Sequence, residues 1–226
     1  MKLHKKLLIC ASCQKELSGI LKEDFFSIGK VFELNHATDI LISGVGSWLS
    51  VYNLTKLFSE RSYDLAIFVG ICGVYNENEE LLQLYSVKKT TFSDCGFETP
   101  EGDFVSVIGT EFLDKNSFGF SDGYFHNDIV FSGLTPTICN TVSRCITKKE
   151  YVRKMLEKFP AEIETMESAA FAMVCINEKQ KFLEIRCGSN YVAPKKEKKW
   201  QVKPAIEKLN YFLSSKILDS ASKILS

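Results

Sequence analysis

The chain has 226 residues, of which 45% are hydrophobic and 25% are charged, and its 28 basic and 28 acidic residues leave no formal net charge. This composition is sufficient to bury a core and predicts one soluble, globular domain over residues 1–226. The balanced charge gives no electrostatic reason to bind nucleic acid or an anionic membrane, so we predict neither as a partner.

The amino terminus combines a basic start, Lys2 to Lys6, with the apolar run from Leu7 to Ala11. A secretory signal needs about 7–15 apolar residues, so this run is too short and is typical of a buried first strand. No stretch approaches the ~18 apolar residues of a membrane-spanning helix. We therefore expect the segment to be kept as part of the fold.

Eight cysteines in a chain of this length do not indicate a small disulfide scaffold. Five lie in apolar or small-residue runs and are predicted to be buried free thiols: Cys10, Cys72, Cys139, Cys175 and Cys187. The pattern Cys10-x-x-Cys13 has no second pair or histidine cluster to complete a zinc site, so we interpret it as structural. Free thiols are typical of a reducing compartment, and we predict a cytoplasmic protein.

Short apolar runs alternate with helical periodicities along the chain. Four runs are predicted as buried strands: Leu7–Ala11, Asp39–Ser43, Leu65–Val69 and Phe182–Arg186. Four segments are predicted as helices: Trp48–Glu60, Glu150–Phe159, Ser168–Asn177 and Val202–Ser214. The segment from Leu84 to Val107 is predicted as strand and loop. We expect an α/β fold, a three-layer α/β/α sandwich with a central, mostly parallel or mixed sheet.

Polar residues and glycines collect where the predicted strands end, which is where α/β sheets bind ligands. Glu16 follows the first strand, and Asn140-Thr141-Val142 and Ser189-Asn190 follow later segments. Two glycine-containing corners, Ser43 to Gly46 and Gly70 to Gly73, follow the second and third strands. Neither corner completes a dinucleotide fingerprint or a phosphate loop, so the glycines alone identify no cofactor.

Glu167 precedes a helix that is small and apolar on nearly every side, so its carboxylate enters the core. A buried carboxylate is costly unless it is paired or hydrogen-bonded. Two interpretations stay open. The carboxylate accepts backbone N–H groups at the start of its helix, worth ~0.3–1 kcal/mol, or it accepts two hydroxyls of a ligand, because its paired oxygens match a cis-diol.

The order and spacing of these motifs resemble the nucleoside phosphorylase and nucleosidase superfamily. The shared pieces are CASCQKEL with Glu16, the SGVG and VGICG corners, ETMESAA with Glu167, and IRCGSN with Asn190. Within the superfamily the chain is most similar to the futalosine hydrolases, nucleosidases of menaquinone biosynthesis, through FSDCGFETPEGDF, NTV and SNYVAP followed by Trp200. The resemblance covers nearly the whole chain. It implies the superfamily fold and the release of hypoxanthine from futalosine.

The resemblance also implies a role for each site residue. Glu16 matches the acid that orients and deprotonates the attacking water, and Glu167 matches the residue that holds the ribose 2′ and 3′ hydroxyls. Met166 packs against the sugar, and the purine slot is lined by Ile71, Cys72, Gly73, Thr141 and Val142. The implied partner is a small-molecule nucleoside. No metal or organic cofactor is implied, and similar members form homo-oligomers.

Asn190 departs from the pattern of nucleosidases that act on 6-aminopurines, which carry Asp at the matching position to protonate N7 of the leaving adenine. An amide is no proton donor of that kind, but it presents an acceptor and a donor side by side. It can accept from N7–H and donate to O6 of a departing 6-oxopurine, which favours hypoxanthine. Two alternatives stay open for Asn190. A flipped amide could donate to N7 and accept from the amino group of adenine, or the residue could only shape a turn before Tyr191. We expect Ser189 to orient Asn190 or the base, and Arg186 to pair with a carboxylate.

Other activities stay open. A purine nucleoside phosphorylase needs a cationic phosphate site, and the first and third strand ends carry no arginine, although Lys15 is a cation there. An adenosine-type nucleosidase for methylthioadenosine or S-adenosylhomocysteine and a non-catalytic nucleoside-binding protein are the other candidates. The basic run from Lys195 to Lys199 is either a solvated loop or a site that attracts a carboxylate on the 5′ tail of the substrate.

Overall fold

The structure, a computed structural model, describes residues 3–21, 27–194 and 198–218. That part of the chain contains eleven strands: β1 Leu3–Ala11, β2 Val31–Asn35, β3 Thr38–Ile42, β4 Arg61–Val74, β5 Leu84–Phe92, β6 Gly96–Glu98, β7 Phe104–Ser106, β8 Phe125–His126, β9 Thr135–Thr141, β10 Ile163–Thr165 and β11 Phe182–Tyr191. The α-helices are α1 Ser47–Glu60, α2 Lys149–Lys158, α3 Ser168–Asn177 and α4 Val202–Phe212. A 3₁₀ helix, Gln14–Leu17, follows β1, and a π-helical segment, Leu213–Leu218, continues α4.

Nine of these strands form one sheet in the order β10-β9-β5-β11-β4-β1-β3-β2, with β8 paired to β5. β4 is parallel to β1 and β11, whereas β5 is antiparallel to β11. β10 pairs with β9 and also, antiparallel, with β4, so β4, β11, β5, β9 and β10 close on themselves. The sheet is mixed, as predicted, and its closed half gathers several strand ends in one place.

Helices cover both faces of this sheet. Successive side chains of β1 alternate between the faces. Leu8 and Cys10 pack in the cluster that includes α1 and α3, whereas Leu7 and Ile9 pack in the cluster that includes α4. The predicted three-layer α/β/α sandwich is confirmed.

The four predicted helices are present, with bounds that differ by at most two residues from the prediction. α3 begins at Ser168 and ends at Asn177, as predicted. α1 begins at Ser47, one residue earlier than predicted. α4 ends at Phe212 because the chain there widens into the π-helical segment, which already contains Ser214.

The predicted corner at Gly70 to Gly73 and the predicted end of the late strand at Arg186 are wrong, because both strands continue further. Gly70 to Gly73 belongs to β4, since β10 and β11 continue to pair with β4 as far as Val74. Gly188 to Asn190 belongs to β11, which ends at Tyr191 and has a bulge between Gly188 and Asn190. A bulge redirects a side chain, and bulges are frequent beside binding sites.

The sequence does not predict β2, β8, β9 or β10. β10 has only three residues, too few to show an alternation of apolar and polar side chains. β9 contains Pro136, which disfavours a central strand, and β2 has mostly exposed side chains. β9 and β10 matter for function because they complete the closed half of the sheet.

The five thiols predicted to be buried and free are buried and free. Cys13 is half-buried, and Cys95 and Cys145 are exposed. No helix in the described residues is long and apolar enough to cross a bilayer.

Candidate active site

A cavity of about 250 Å³ lies where β1, β4, β9, β10 and β11 end. Ligands of α/β sheets bind at this edge. Nine of the ten predicted site residues line it: Glu16, Ile71, Cys72, Gly73, Val142, Met166, Glu167, Ser189 and Asn190. The structure thus brings together residues that are up to 174 positions apart in the chain, since Glu16 and Asn190 face the same space.

Glu16 lies in the 3₁₀ helix after β1 and is only 4% exposed. Ser12 donates to its Oε2 twice, from the backbone N at 3.0 Å and from the hydroxyl at 2.6 Å. The backbone N of Ile71, on β4, donates to Oε1 at 2.9 Å. These donors come from two different strand ends, and they fix both carboxylate oxygens at the cavity wall.

Glu167 immediately precedes α3 and is 5% exposed. Its side chain does not cap α3; instead, Oε1 accepts a hydrogen bond of 2.8 Å from the backbone N of Gly46, next to the start of α1. Burial raises the pKa of this carboxyl to about 7, opposed by Arg186 and by the Gly46 N–H group. The carboxylate is therefore held between two segments and faces the cavity.

Arg186, on β11, lies next to both glutamates and is fully buried. Its Nε donates to Glu184 Oε1 at 2.7 Å, and its Nη1 lies 4.0 Å from Glu167 Oε2. Gly70 makes this packing feasible, since a Cβ there would lie 2.3 Å from Arg186 Nη1 and 2.6 Å from Glu16 Oε1. Arg186 thus pairs with a carboxylate, and Glu184 is the nearer partner.

Asn190 lies at the bulge of β11 and is 9% exposed. The hydroxyl of Ser189 donates to its Oδ1 at 2.9 Å, which orients the amide. Its Nδ2 lies 3.4 Å from the carbonyl oxygen of Tyr191. Because Oδ1 has a second lone pair and Nδ2 a second hydrogen, the amide offers an acceptor and a donor to the cavity.

Thr141, the tenth predicted site residue, lies behind the wall. It is 1% exposed, and its Oγ1 accepts a hydrogen bond of 2.8 Å from the backbone N of Ala169. Val142, the next residue, lines the cavity. Thr141 therefore supports the start of α3, while Val142 forms the surface that a ligand would meet.

Sequence reasoning missed Glu164, a third carboxylate of the cavity wall. It lies on β10, is 5% exposed, and accepts a hydrogen bond of 2.9 Å at Oε2 from the hydroxyl of Tyr75. Burial raises the pKa of Glu164 to about 7, opposed by the Tyr75 hydrogen bond and assisted by Asp94. Its presence in ETMESAA was the available signal, but a three-residue strand does not reveal which side chains face a cavity.

The cavity wall contains one cation in the described part of the chain, Lys15. In the basic run, Lys195 and Lys196 lie outside the described residues. Lys198 lies 3.6 Å from Glu77 and 4.1 Å from the ring centre of Tyr191. Within the described ranges, no group of three or more His, Cys, Asp or Glu residues could hold a metal ion.

No family model matches the sequence, and no curated protein matches it. Solved structures do match. A 5′-methylthioadenosine/S-adenosylhomocysteine nucleosidase of Campylobacter jejuni has a TM-score of 0.67 at 17% identity, over 93% of this chain and 96% of that one. A futalosine hydrolase mutant of Helicobacter pylori has a TM-score of 0.70 at 16% identity, over 95% of this chain and 99% of that one.

The native futalosine hydrolase of Helicobacter pylori is similar over 95% of this chain and 98% of its own, with a TM-score of 0.68 and 15% identity. The three likenesses thus each cover at least 93% of this chain. The chain has the fold shared by futalosine hydrolase and the methylthioadenosine/S-adenosylhomocysteine nucleosidases.

Proposed function

We propose that the protein hydrolyses the bond between ribose and purine of a 6-oxopurine nucleoside, futalosine, and releases hypoxanthine. The observation that carries this proposal is the convergence of Glu16, Glu167 and Asn190 on one cavity. Two carboxylates and an amide supply what the reaction requires: a base for water, an anchor for the sugar and a partner for the leaving group.

Glu167 holds the sugar. Its Oε1 already accepts from Gly46, and the remaining lone pairs of the carboxylate accept from the 2′ and 3′ hydroxyls of ribose. Anchoring there places the anomeric carbon over the attacking water and converts binding into orientation. Met166, half-buried at the cavity wall, packs against the sugar.

Glu16 activates water. The water oxygen bonds to C1′ while the C1′–N9 bond breaks, and the electron pair of that bond stays on the purine. Glu16 accepts one proton of the water, and the purine takes a proton from solvent at N7. A positioned carboxylate base of this kind contributes typically 10²–10⁴-fold.

Asn190 binds the leaving base. Its Oδ1, oriented by Ser189, accepts from N7–H, and its Nδ2 donates to O6 as negative charge builds on the departing hypoxanthine. An amide in place of an acid favours a 6-oxopurine over adenine. This preference supports futalosine over methylthioadenosine, although nucleosidases for both substrates share the fold.

The charge of the cavity favours water over phosphate as the nucleophile. Three carboxylates, those of Glu16, Glu164 and Glu167, line it together with one lysine, Lys15. Arg186 is fully buried and lies closest to Glu184. A phosphate dianion would meet repulsion there, whereas a neutral water molecule would not.

Incubation with futalosine, followed by chromatography for free hypoxanthine with and without phosphate, tests the proposal. We expect hypoxanthine at the same rate in both. Release that requires phosphate would make the protein a phosphorylase. Faster cleavage of methylthioadenosine would make it an adenosine-type nucleosidase, and tight binding without release would make it a sensor.

The assembly and the location of the protein stay predictions. A homo-oligomer is consistent with Trp48 and Tyr52, two aromatic residues of α1 that are 74% and 66% exposed. Cytoplasmic location is consistent with the free thiols.

A further inference from the structure

Glu164 and Asn190 flank the same glycine. Glu164 is the register partner of Gly73 across the β10–β4 pair, and Asn190 is its register partner across the β11–β4 pair. Directly paired residues of neighbouring strands project from one face of a sheet. At a strand spacing of about 4.8 Å, the two side chains start roughly 9.6 Å apart, with a residue between them that has no side chain.

Three side chains approach the backbone of Gly73 so closely that only glycine fits there. A Cβ on Gly73 would lie 2.8 Å from Val192 Cγ2, 3.1 Å from Glu164 Cγ and 3.4 Å from Asn190 Nδ2. Glu164 and Asn190 thus approach Gly73 from both sides, and these three residues line the cavity. The carboxylate and the amide face the same ligand edge.

The polar groups stand in a definite order across the three strands. Asn190 Oδ1 accepts from Ser189 on its own strand, and Nδ2 is the amide atom found near Gly73. Glu164 follows on the far side of Gly73. From β11 to β10 the order is thus acceptor, donor, acceptor. The edge of a leaving 6-oxopurine presents the complementary order: the N7–H donor, the O6 acceptor and the N1–H donor.

We propose that Glu164 selects the base, by accepting a hydrogen bond from N1–H of a 6-oxopurine. This inference rests on the proposed function and adds a residue to it. Adenine has an acceptor at N1, so an ionised Glu164 repels it, whereas a protonated Glu164 can donate to it. The preference for a 6-oxopurine over a 6-aminopurine therefore increases with pH.

The surroundings of Glu164 support a protonation change near neutral pH. Burial raises the pKa of its carboxyl to about 7. The titratable groups that act on it or are acted on by it are Tyr75 at the end of β4, Asp94 after β5 and Cys145 after β9. The Tyr75 hydroxyl is a neutral donor and Asp94 is an acid, so neither supplies the positive charge that would keep Glu164 ionised at low pH.

The test compares futalosine with the analogue that carries a 6-amino group in place of the 6-oxo group. The ratio of the two kcat/KM values is measured between pH 6 and 8.5. We expect the wild-type ratio to rise at least about tenfold over this range, since the ionised fraction of a carboxyl with a pKa of about 7 rises from roughly a tenth at pH 6 to nearly one at pH 8.5. In Glu164→Gln the ratio should fall by about 10–100-fold at pH 8.5 and no longer depend on pH, because a neutral amide both accepts and donates.

Glu162→Gln is the matched control, since Glu162 is exposed and its Oε2 accepts from the backbone N of Ile138 instead of facing the cavity. This variant should keep the wild-type ratio and its pH dependence. A Glu164→Gln ratio equal to wild type at every pH would overturn the inference and leave the proposed function intact.

A second measurement separates the two proposals. Calorimetric titration with free hypoxanthine and free adenine, at pH 6 and 8.5, reports base selection without turnover. If wild type releases no hypoxanthine from futalosine, the proposed function fails, and the binding preference still decides the role of Glu164. Loss of the hypoxanthine preference in Glu164→Gln supports the inference, and an unchanged preference contradicts it.

Discussion

The two ends of the cavity bury glutamates to the same extent but stabilise them differently. At the sugar end, Glu16 and Glu167 accept from backbone N–H groups, and Arg186 lies 4.0 Å from Glu167. At the base end, Glu164 accepts from the neutral hydroxyl of Tyr75. Burial raises the pKa of both Glu164 and Glu167 to about 7.

The difference lies in the groups that face each carboxyl. Amide dipoles and a guanidinium favour the charged form, which the sugar end needs in order to accept hydroxyl protons in hydrogen bonds. At the base end the neutral hydroxyl of Tyr75 donates to Glu164, which can accept a hydrogen bond from the base when it is ionised and donate one when it is protonated. Burial alone therefore does not assign a role to a glutamate.

The largest effect is expected when the base for water is removed. Glu16→Gln keeps the shape of the side chain but leaves a weak base, so kcat should fall by about 10²–10⁴-fold. The dissociation constant for futalosine, measured by calorimetry, should stay within a few-fold of wild type. Normal turnover in this variant would remove Glu16 from the mechanism.

A somewhat smaller effect is expected when the anchor for the sugar is weakened. Glu167→Gln loses charge-assisted hydrogen bonds to the ribose hydroxyls, and kcat/KM should fall by roughly 10–100-fold. The 2′-deoxy substrate serves as the control. The kcat/KM of wild type should fall by a similar factor on this substrate, whereas the kcat/KM of Glu167→Gln should fall little further. If the loss from the substitution and the loss from the missing hydroxyl were additive, Glu167 would not contact the ribose hydroxyls.

The role of Asn190 in base preference can be tested by introducing an acid at this position. Asn190→Asp can donate a proton to N7, so cleavage of the 6-amino analogue relative to futalosine should rise by about tenfold. Relative kcat/KM values for the two substrates, obtained in one competition assay, measure this. A variant that keeps the wild-type ratio would show that Asn190 does not contact the base.

The smallest expected effect concerns stability. Because the folded protein holds the Glu164 proton more tightly than the unfolded chain, stability is lost as the pH rises from the ordinary value of 4.5 to about 7. That rise corresponds to at most about 3 kcal/mol. Glu164→Gln removes the loss, so its Tm should exceed that of wild type by a few degrees at pH 8 and match it at pH 4.

Calorimetric scans at both pH values check this expectation, with exposed Glu162→Gln as the control. A difference in Tm that is the same at pH 4 and pH 8 would contradict it, because a change in packing alone does not depend on pH.

The sequence predicts the layers of the fold well because long, periodic segments such as α1 and α3 carry strong patterns. It predicts the strand ends less well. Gly73 continues β4 and Asn190 continues β11 because of pairing with strands that are distant in the sequence. The local glycine content, by contrast, predicts corners at these positions. Glu164 was missed for the same reason, since only the closure of β10 on β4 brings it beside Asn190.

The site residues that were found owe their discovery to motifs, not to periodicity. Glu16, Glu167 and Asn190 lie in recognisable sequence motifs and line the cavity. Thr141 also lies in such a motif, but its side chain is behind the cavity wall. A motif identifies the segment that reaches the cavity, and the strand pleat decides which of its side chains faces inward.

Hydrolysis of futalosine in ¹⁸O-labelled water, with phosphate present, is the most direct measurement of the central claim. Mass spectrometry of the released sugar should show one ¹⁸O atom at C1′ together with free hypoxanthine, and Glu16→Gln should form neither product at a comparable rate. A sugar 1-phosphate without label, or label incorporated equally fast by Glu16→Gln, would contradict the account.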